Sequence, residues 1–545
     1  MRVANVLAFL VGVSLFTQID AASLLRGGLL PSLRRVPPRF RLKCTVSDAT
    51  STVPDISLEP PPPPSGREIR NFALPALGLW LSSPLLSLID TSAVGLAAPP
   101  SLSATQLAAL GPATTLCDGT QYLFAFLNVA TTSLYASELA RSERAGLTRG
   151  SQAAEDVVWL ACRIALTCGV AAMLLLLLAC VPMLTLYIGA DTAANTALLA
   201  SAVNYVRVRI LSLPAALLGS VLSAALLGAR DSLTPLLSTG VASAVNVLGD
   251  VLCVAALRKG LAGAAAATLF AQYAGTAALL RAVRARIVPR GGLGLNPLQL
   301  QRAPEASSPQ EAGPLGTPST ESAASSISVR GFLRFAAPVL TLVLGKLVCF
   351  GFMTSAAARL GEVPLAVHQL TLSTYFFLSP NLEVISQTAQ SFLPQYIGPP
   401  EGADTASWRR AEDRLALRLL RLSLGVACAA AAAAVAVPLW GARLLTSDPT
   451  VISAMVELAR PLGLAVLLTG PVCASEGVLL ARRMLKPLSA VYLSSVLALP
   501  LLLSRAHTAA QVWTTFMWFQ LFRGSAFTLR LWLPRVIDAF RQRIL

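Results

Sequence analysis

Charged residues are scarce in this chain of 545 residues, because Asp, Glu, Lys and Arg together make up only 13% of it. A soluble domain carries about 25% charged residues to cover its surface. The apolar set Ala, Val, Ile, Leu, Met, Phe, Trp, Tyr and Cys makes up 54%, a fraction too high for a disordered chain. The composition therefore argues against a soluble enzyme and predicts a protein that crosses a membrane many times.

Motifs for metal, disulfide and nucleotide chemistry are also missing. The chain has only two histidines, His368 and His507, and its nine cysteines form no CxxC motif. Eight of the cysteines lie in apolar stretches, where a thiol behaves as a small buried hydrophobic group. There is no HExxH, no GxSxG and no GxxxxGK[ST]. We therefore predict no metal, no cofactor and no enzymatic activity, and we do not expect ATP to drive transport by this chain.

The net charge is strongly positive, at +16. In a soluble protein, such a charge would indicate a nucleic-acid partner. Here the basic residues lie mainly in short loops between apolar runs and are not interleaved with aromatic residues. Membrane topology explains this pattern, and we predict no nucleic-acid partner.

The N-terminal region has the composition of a targeting sequence. Arg2 precedes a short apolar run at 3–16, followed by small residues, which is typical of a signal peptide over residues 1–22. Residues 23–70 are basic, contain Ser and few acids, as transit peptides do, and include the proline run 60–64. We assign neither segment to the fold and predict a bipartite presequence for a plastid membrane. The alternative is a secretory signal with a basic tail, leading to the plasma membrane or vacuole.

Long apolar segments recur from residue 72 onward, and most exceed the roughly 20 residues that a spanning helix needs. They predict an all-α, polytopic membrane protein with twelve transmembrane helices in two six-helix bundles. Prolines inside the spans predict kinks at Pro75, Pro214, Pro338, Pro380 and Pro394. The predicted spans are 72–95, 106–138, 154–187, 197–227, 233–256, 261–288, 331–358, 364–395, 413–439, 450–480, 486–504 and 510–535.

The distribution of Arg and Lys supports this number of spans. If the spans alternate in direction, 22 basic residues fall on one side of the membrane and five on the other. This bias is the positive-inside pattern, and a wrong number of spans would scramble it. We name the side with 22 basic residues the positive face, and both ends of the mature chain are predicted to lie there. The basic residues of the opposite face are Arg258, Lys259, Arg359, Arg443 and Arg505.

The twelve spans divide into two halves of six. Residues 289–329 are rich in Pro, Gly, Ser and Ala and predict a flexible linker. The linker separates an N-half, 71–288, from a C-half, 330–545. Phe72-Ala-Leu-Pro75 opens the first half and Phe335-Ala-Ala-Pro338 opens the second. Parallel repeats of this kind form two bundles with a cavity between them, the layout that alternating access requires.

A second match between the halves lies at the junctions that follow the fourth and tenth spans. Arg230 and Pro235 are five residues apart, and so are Arg482 and Pro487. This spacing matches Arg230 with Arg482.

Polar residues inside the spans are candidate site residues, because ionisable groups within a bilayer are expensive. Asp90 lies deep in the first span, and Asn246 and Asp250 share one face of the fifth because they are four residues apart. A desolvated carboxyl group can bind and release a proton near neutral pH, and a neighbouring Asn can hydrogen-bond either form. We predict that these three residues bind a coupling cation. The alternative for Asp90 is a hydrogen bond at a helix kink.

Other polar residues predict a substrate cavity between the halves. Asp118 and Gln121 follow a Gly-Pro break in the second span, and their alternative role is local hydrogen bonding at a broken helix. Lys346 can pair with Glu383 or Glu476, or it can attract an anionic solute. We favour an interface hydrogen bond over a proton relay for His368, because it sits at a span opening. The predicted cavity residues are Asp118, Gln121, Lys346, His368, Glu383, Gln387, Gln390 and Glu476.

Short motifs in three spans carry a family resemblance. Ser87-Leu-Ile-Asp90-Thr91 lies in the first span, Asn246-Val-Leu-Gly-Asp250 in the fifth and Ala366-Val-His368-Gln369 in the eighth. They are similar to the aspartate motif, the Asn-x-x-x-Asp pair and the Ala-Ala-His-Gln motif of the MATE (multidrug and toxic compound extrusion) transporters. The resemblance implies that Asp90, Asn246 and Asp250 belong to the cation site of the N-half.

A narrower likeness covers three further segments. They are Gly111-Pro-Ala-Thr-Thr-Leu-Cys117-Asp118, Ser386-Gln-Thr-Ala-Gln-Ser-Phe392-Leu-Pro394 and Glu476-Gly-Val-Leu-Leu-Ala. These segments resemble the plant plastid branch of the family, near the bacterial DinF-type members. Part of that branch is associated with export of aromatic acids of the salicylate pathway from plastids. One departure is Arg482-Arg483, where relatives often carry Arg-Asp.

The sequence thus leads us to expect a secondary antiporter of MATE type. It would export a small organic solute, a xenobiotic or an aromatic metabolite, in exchange for H⁺ or Na⁺ by alternating access. The expected partners are the solute and the lipid bilayer, and we expect the chain to act as a monomer. The related alternative is a flippase for a lipid-linked precursor, and the alternative from another class is a membrane-embedded enzyme.

Overall fold

The computed structural model describes residues 58–97, 100–144, 152–188, 193–287, 329–445 and 448–544. These residues are almost entirely helical, and they contain no strand. The predicted signal peptide 1–22, most of the transit-like segment and nearly all of the linker 289–329 lie outside the described residues.

The helices follow one another with short connections. In chain order they are α1 Gly66–Ala97, α2 Pro100–Leu123, α3 Ala125–Arg144, α4 Gln152–Ile188, α5 Ala193–Arg209, α6 Leu213–Gly228, α7 Leu233–Gly249, α8 Gly260–Arg286, α9 Val329–Arg359, α10 Glu362–Leu378, α11 Pro380–Phe392, α12 Thr405–Ala436, α13 Ala442–Leu445, α14 Pro449–Ala481, α15 Leu485–Leu503 and α16 Ala509–Ile544. Two π-helical turns, Asp250–Ala256 and Val437–Gly441, continue α7 and α12.

Each predicted span coincides with one helix or with two helices joined end to end. Among the described residues, eight helical segments are long and apolar enough to cross a membrane by length and composition. The four remaining spans are α1, the pair α2 and α3, the pair α10 and α11, and α16. Two of these are divided by a break, and α16 includes Gln and Arg among its apolar residues. The fold is therefore all-α and polytopic, as predicted.

Prolines interrupt the helices at three of the five predicted kinks. Pro214 and Pro380 lie in the first turn of α6 and α11, where the missing N–H costs nothing. Pro394 lies in the 3₁₀ turn Leu393–Tyr396 that ends the eighth span. Pro75 and Pro338 lie within the continuous helices α1 and α9.

The larger hydrophobic core joins the two halves. It contains Phe72 and Leu127 of the N-half together with Phe332 and Phe392 of the C-half. A second core belongs to the N-half alone and includes Leu261, close to the basic residues of the opposite face. Among the described residues, the halves therefore share their packing near the positive face, whereas the second core, towards the opposite face, is built by the N-half alone.

Ion pairs confirm that the basic loops lie together. Arg482 Nε lies 2.5 Å from Glu412 Oε1, and Arg535 Nη1 lies 2.5 Å from Asp413 Oδ1. These residues come from the segments that the alternating spans assign to the positive face. The contacts therefore support the predicted direction of the spans in the C-half.

The turns after α6 and α14 have the same backbone geometry. Arg230 and Arg483 have φ values of 63° and 56°, in a left-handed region that residues with a side chain rarely adopt. In both turns the next residue donates its backbone N–H to the carbonyl five positions earlier, at 2.9 Å, as in a Schellman motif. Arg230 therefore corresponds to Arg483. The predicted match with Arg482 is wrong by one residue, because Arg482 is the helix cap and corresponds to Ala229.

The first helix starts earlier than the sequence predicts. α1 begins at Gly66, six residues before the predicted start at 72. Ser65 and Glu68 form a capping box: the Glu68 N–H donates to Ser65 Oγ at 3.1 Å, and the Ser65 N–H donates to Glu68 Oε2 at 2.6 Å. The fold boundary at residue 70 is corrected accordingly.

Residues 58–64 belong to the fold as well. We name this segment the N-terminal strap, because its carbonyl groups accept hydrogen bonds from the C-half. The donors are Trp408 Nε1 to Leu58 O at 3.1 Å, Tyr396 Oη to Pro62 O at 3.0 Å and Arg418 Nη1 to Pro64 O at 2.7 Å. The proline run 60–64 is therefore part of the fold, contrary to the prediction that leaves residues 23–70 out of it.

Candidate functional site

Three of the predicted cavity residues meet inside the C-half. Lys346 of α9 places its Nζ 2.9 Å from Glu476 Oε1 of α14 and 3.2 Å from Glu383 Oε1 of α11. Lys346 and Glu383 are partly exposed, with 17% and 30% of their side chains accessible, whereas Glu476 keeps only 4%. The lysine thus forms the ion pair that the sequence allowed, and it does so with both carboxylates.

A second cation completes this cluster, and the sequence interpretation did not identify it. Arg523 of α16 lies with Nη2 at 3.1 Å from Glu476 Oε2. Tyr492 of α15 donates its hydroxyl to the same oxygen at 2.8 Å, and the guanidinium lies 4.5 Å from the centre of the Tyr492 ring. Two cations therefore face two carboxylates in a partly buried cluster whose formal charges cancel.

Neutral polar side chains extend the cluster towards α10. Arg523 donates to Gln520 Oε1 at 2.7 Å. Gln520 Nε2 in turn donates to Thr469 Oγ1 at 2.6 Å and to Tyr375 Oη at 3.1 Å. We name the whole set the C-half network. It consists of Lys346, Tyr375, Glu383, Thr469, Glu476, Tyr492, Gln520 and Arg523.

His368 lies apart from this network. Its side chain is fully buried in α10, its Nε2 lies 3.1 Å from Thr354 Oγ1, and its ring packs against Trp513 at 5.9 Å between centres. The structure thus places His368 at an interface between helices.

The predicted pair of the N-half lies at the end of α7. Asn246 Nδ2 donates to Asp250 Oδ2 at 3.1 Å, and both residues are buried. Asp250 begins the π-helical turn Asp250–Ala256, and such turns are frequent at functional sites. α1 packs against both α7 and this turn. Asp90 belongs to α1, but its side chain lies outside the described part of the structure.

Asp118 and Gln121 lie on α2 of the N-half. Asp118 Oδ1 lies 3.1 Å from Nη2 of Arg209, and 54% of the Asp118 side chain is accessible. Gln121 is half-buried. Their neighbour Tyr122 lies close enough to Lys346 and Glu383 to interact electrostatically with them. This part of α2 therefore faces the C-half network across the space between the halves.

Gln387 and Gln390 lie in the contact between the halves. Gln387 Nε2 donates to Thr132 Oγ1 at 3.3 Å, and Ser133 Oγ donates to Gln390 Oε1 at 3.1 Å. Gln390 is only 5% exposed. In this conformation both glutamines of α11 hold the halves together, with Gln390 buried and Gln387 half-buried in the contact.

Further contacts close the same region at the positive face. Arg144 donates to the carbonyls of Pro394 and Gln395 at 3.2 and 3.4 Å. Phe72 and Phe392 meet edge to face, with ring centres 5.4 Å apart. Together with the separate core of the N-half, these contacts show two halves closed against each other at the positive face.

Two arginines of these sites were missed from the sequence. Arg523 and Arg209 lie inside the predicted spans 510–535 and 197–227. A charge inside a span is itself a signal of function or of a buried partner, and that signal would have identified both residues. No group of three or more potential metal ligands occurs in the described part of the chain.

Comparison with known proteins gives relatives along most of the chain. A family model described as MatE matches residues 75–252. Protein DETOXIFICATION 47, chloroplastic, of Arabidopsis thaliana is 30% identical over 472 residues, which cover 86% of this chain and 78% of that protein. DNA damage-inducible protein F of Escherichia coli K12 is 26% identical over 64% of this chain and 67% of that protein.

A solved structure has the same fold. A crystal structure of a mutant of the Vibrio cholerae MATE transporter VcmN superposes with a TM-score of 0.65. The match covers 85% of this chain and 95% of that chain at 18% identity. At this identity the likeness establishes the arrangement of the helices and nothing finer.

Proposed function

Because this chain belongs to the MATE family of transporters, we propose that it exports a small organic solute in exchange for H⁺ or Na⁺. It is an integral membrane protein, and its relatives are transporters rather than enzymes. Transport would proceed by alternating access, with the two halves closing in turn at each face. The present form, closed at the positive face, is one of the two states that this cycle needs.

The observation that carries the proposal is the hydrogen bond between Asn246 and Asp250 at the π-helical turn. A coupling group must change its occupancy between the two faces, and its occupied and empty forms must favour different conformations. A carboxyl group beside an amide meets this need, because the amide can hydrogen-bond either form. The turn packs on α1, the helix that carries Asp90.

The acids of the C-half are less suited to this role. Glu383 and Glu476 are held by Lys346, and Glu476 also by Arg523. A coupling cation would have to displace these fixed cations from the carboxylates. We therefore assign cation coupling to the N-half and a structural or solute-facing role to the C-half network.

The test is solute export from proteoliposomes under an imposed pH or Na⁺ gradient, with a panel of xenobiotics and aromatic acids. We expect gradient-driven export by the wild-type protein without chemical change of the solute. Asp90→Asn should fold and retain solute binding but lose the response to the gradient, because an amide cannot exchange a proton. Asp250→Asn should weaken the response in the same direction, and Asn246→Ala should do so less strongly.

Asp448→Asn is the matched control for these variants. Asp448 caps α14 by accepting the Thr450 N–H at 2.8 Å, and Asn serves this role equally well. Its export should equal that of the wild type. Wild-type coupling in Asp90→Asn and Asp250→Asn would contradict the N-half assignment. Movement of a lipid-linked precursor in place of free solutes would favour the flippase alternative, and conversion of the solute would favour an enzyme.

We also propose a plastid membrane as the location. The Arabidopsis relative is named as chloroplastic, and the N-terminal composition points the same way. A fluorescent fusion of residues 1–57 should reach plastids, and a fusion of residues 1–22 should enter the secretory route. Accumulation of the longer fusion at the plasma membrane or vacuole would contradict the proposal.

A further inference from the structure

A small cavity lies between the two halves at the positive face. Its volume is about 280 Å³, and it is lined by α3 of the N-half, by the 3₁₀ turn that follows α11 and by the turn between α14 and α15. Four arginines line it, Arg141, Arg144, Arg482 and Arg483, with Glu138 as the acid among them. We name it the arginine pocket.

The charges of this pocket are not balanced by the acids around it. Arg482 already faces Glu412 and Asp413 at 2.5 and 3.4 Å. Arg141 and Arg483 share the single carboxylate of Glu138, at 3.1 and 4.0 Å.

Arg144, the remaining arginine of the pocket, shares an acidic neighbour with Arg230. Arg144 donates to backbone carbonyls, and its neighbour Glu143 lies 3.2 Å from Arg230. Four guanidinium groups, those of Arg141, Arg144, Arg230 and Arg483, therefore share the carboxylates of Glu138 and Glu143. The local excess is two positive charges.

The excess charge is also partly removed from water. Partial burial lowers the pKa of the Arg144 and Arg483 guanidinium groups below its usual value, although 44% of the Arg483 side chain remains accessible, and Arg141 lowers both further. The acids Glu143 and Glu138 oppose this shift only in part. Both arginines lie outside the predicted spans, in the interfacial region. The arrangement thus holds positively charged groups close together, which costs free energy, and a bound anion would reduce this cost.

We propose that the arginine pocket binds a phosphate group and thereby locks the two halves together at the positive face. Guanidinium groups recognise phosphate with paired hydrogen bonds, and basic pockets between transmembrane helices receive anionic lipid headgroups. The phosphate belongs to an anionic phospholipid of the surrounding leaflet or to a soluble phosphate compound.

The consequence for transport follows from where the pocket lies. Arg144 belongs to the N-half and Arg483 to the C-half, so an anion between them requires both halves in their present contact. The bound anion therefore stabilises the conformation in which the halves are closed at the positive face, and it does not stabilise a conformation in which they separate there. This regulatory effect rests on the proposed alternating access, whereas the binding itself does not depend on the solute or the coupling ion.

Binding is tested on the purified full chain in a neutral detergent, without any transport measurement. Thermal stability is followed against inorganic phosphate, with chloride at matched ionic strength, and separately against short-chain phosphatidylglycerol, with phosphatidylcholine as its control. We expect saturable stabilisation by at least one phosphate probe beyond its control. Stabilisation by phosphatidylglycerol alone assigns the site to lipid, and stabilisation by inorganic phosphate assigns it to a soluble anion.

Variants show whether the effect arises in this pocket. Arg144→Gln and Arg483→Gln should each weaken the affinity about tenfold, as expected for loss of one charge-assisted hydrogen bond. Glu138→Gln should strengthen it, because it removes the competing carboxylate, and a misfolded variant cannot mimic that gain. Arg359→Gln, at an exposed arginine of the opposite face, is the matched control and should bind as the wild type does. The proposal fails if neither probe stabilises the protein, or if all three pocket variants respond as the wild type does.

Discussion

Arg230 and Arg483 occupy equivalent left-handed turns in the two halves, and each reaches a residue of the other half. Arg230 Nε donates to the carbonyl of Ser391 at 3.4 Å, and Arg483 Nη2 lies 4.0 Å from Glu138 Oε1. The internal repeat therefore contributes the same residue type to the closed face twice. Since both turns lie at the positive face, the two arginines close it from opposite sides.

Arg230→Gln should open this face more often. The change removes two contacts with the C-half, the hydrogen bond to the Ser391 carbonyl and the packing of the guanidinium on the Phe392 ring, 5.7 Å from its centre. Together, two such interactions are worth roughly tenfold in an equilibrium constant. The measurement uses Ser133→Cys, whose position is 1% exposed in the closed contact. A membrane-impermeant maleimide applied from the positive face should label residue 133 about tenfold faster when Arg230→Gln is added.

The control for this experiment is Arg230→Lys, which keeps the charge and should accelerate labelling less. The Cys substitution is present in every sample, so its own effect on the contact with Gln390 cancels. Equal labelling rates with and without Arg230→Gln would show that this arginine does not hold the face closed.

The free energy of unfolding should fall strongly when the C-half network loses one charge, and less when it loses two opposite charges together. Glu476→Gln leaves Lys346 and Arg523 with one carboxylate between them, and breaking a buried pair in this way costs about 3–5 kcal/mol. Combining it with Lys346→Met restores the balance between Arg523 and Glu383. The double variant should therefore be destabilised by less than the sum of the two single variants.

The measurement is the free energy of unfolding of the purified protein in mixed micelles with increasing SDS. Additive losses in the double variant would mean that the charges act independently, which would contradict the network as described.

Close helix packing behind this network gives a third prediction. A Cβ atom added at Gly477 would lie 2.6 Å from the Ser386 Cα atom of α11, so the two backbones are in near contact, as small residues allow in membranes. Gly477→Ala should cost about 1–3 kcal/mol of unfolding free energy. Gly351→Ala in α9 is the matched control, because nothing lies within 4 Å of its added Cβ. If both variants unfold alike, the contact of α11 with α14 is looser than described.

The fold could be predicted from the sequence because the length of the apolar spans and the charge of the loops both reflect how the whole chain crosses the membrane. Charged loops on one side and apolar runs between them fix the number and direction of the helices. The pairing of Lys346 with Glu383 or Glu476 could be predicted for a similar reason, since charges inside a bilayer need partners. The same argument applies to Arg523, which lies inside the predicted span 510–535 but is not among the predicted site residues.

Other features depend on information that periodicity does not carry. Gln387 and Gln390 are predicted to line a cavity, and in this conformation both hydrogen-bond to the N-half. Their contacts depend on the conformation of the transporter, which the sequence of one helix does not indicate. The match of Arg230 with Arg482 failed by one residue because the proline spacing is less constrained than the left-handed turn. The predicted fold leaves out the proline run because the donors of its hydrogen bonds are more than 330 residues away in the sequence.

That run gives the last prediction, on where the folded chain begins. A chain that starts at Leu58 keeps the N-terminal strap and the cap of α1, and it should be as stable as the full chain. A chain that starts at Gly66 loses the cap and three hydrogen bonds to the C-half, and it leaves the buried Trp408 and Tyr396 without their acceptors. At about 1 kcal/mol for each interaction, we expect a loss of roughly 3–4 kcal/mol in unfolding free energy.

The variant Trp408→Phe distinguishes the contribution of the N-terminal strap to stability from that of the helix cap. In the chain that starts at Leu58, the substitution removes the indole N–H and its bond to the strap, so it should cost about 1 kcal/mol. In the chain that starts at Gly66, the acceptor is already absent, and the same substitution should cost nothing or relieve the unpaired donor. An equal effect of Trp408→Phe in both chains would mean that the strap does not bind the C-half, and the short chain would then be destabilised through the helix cap alone.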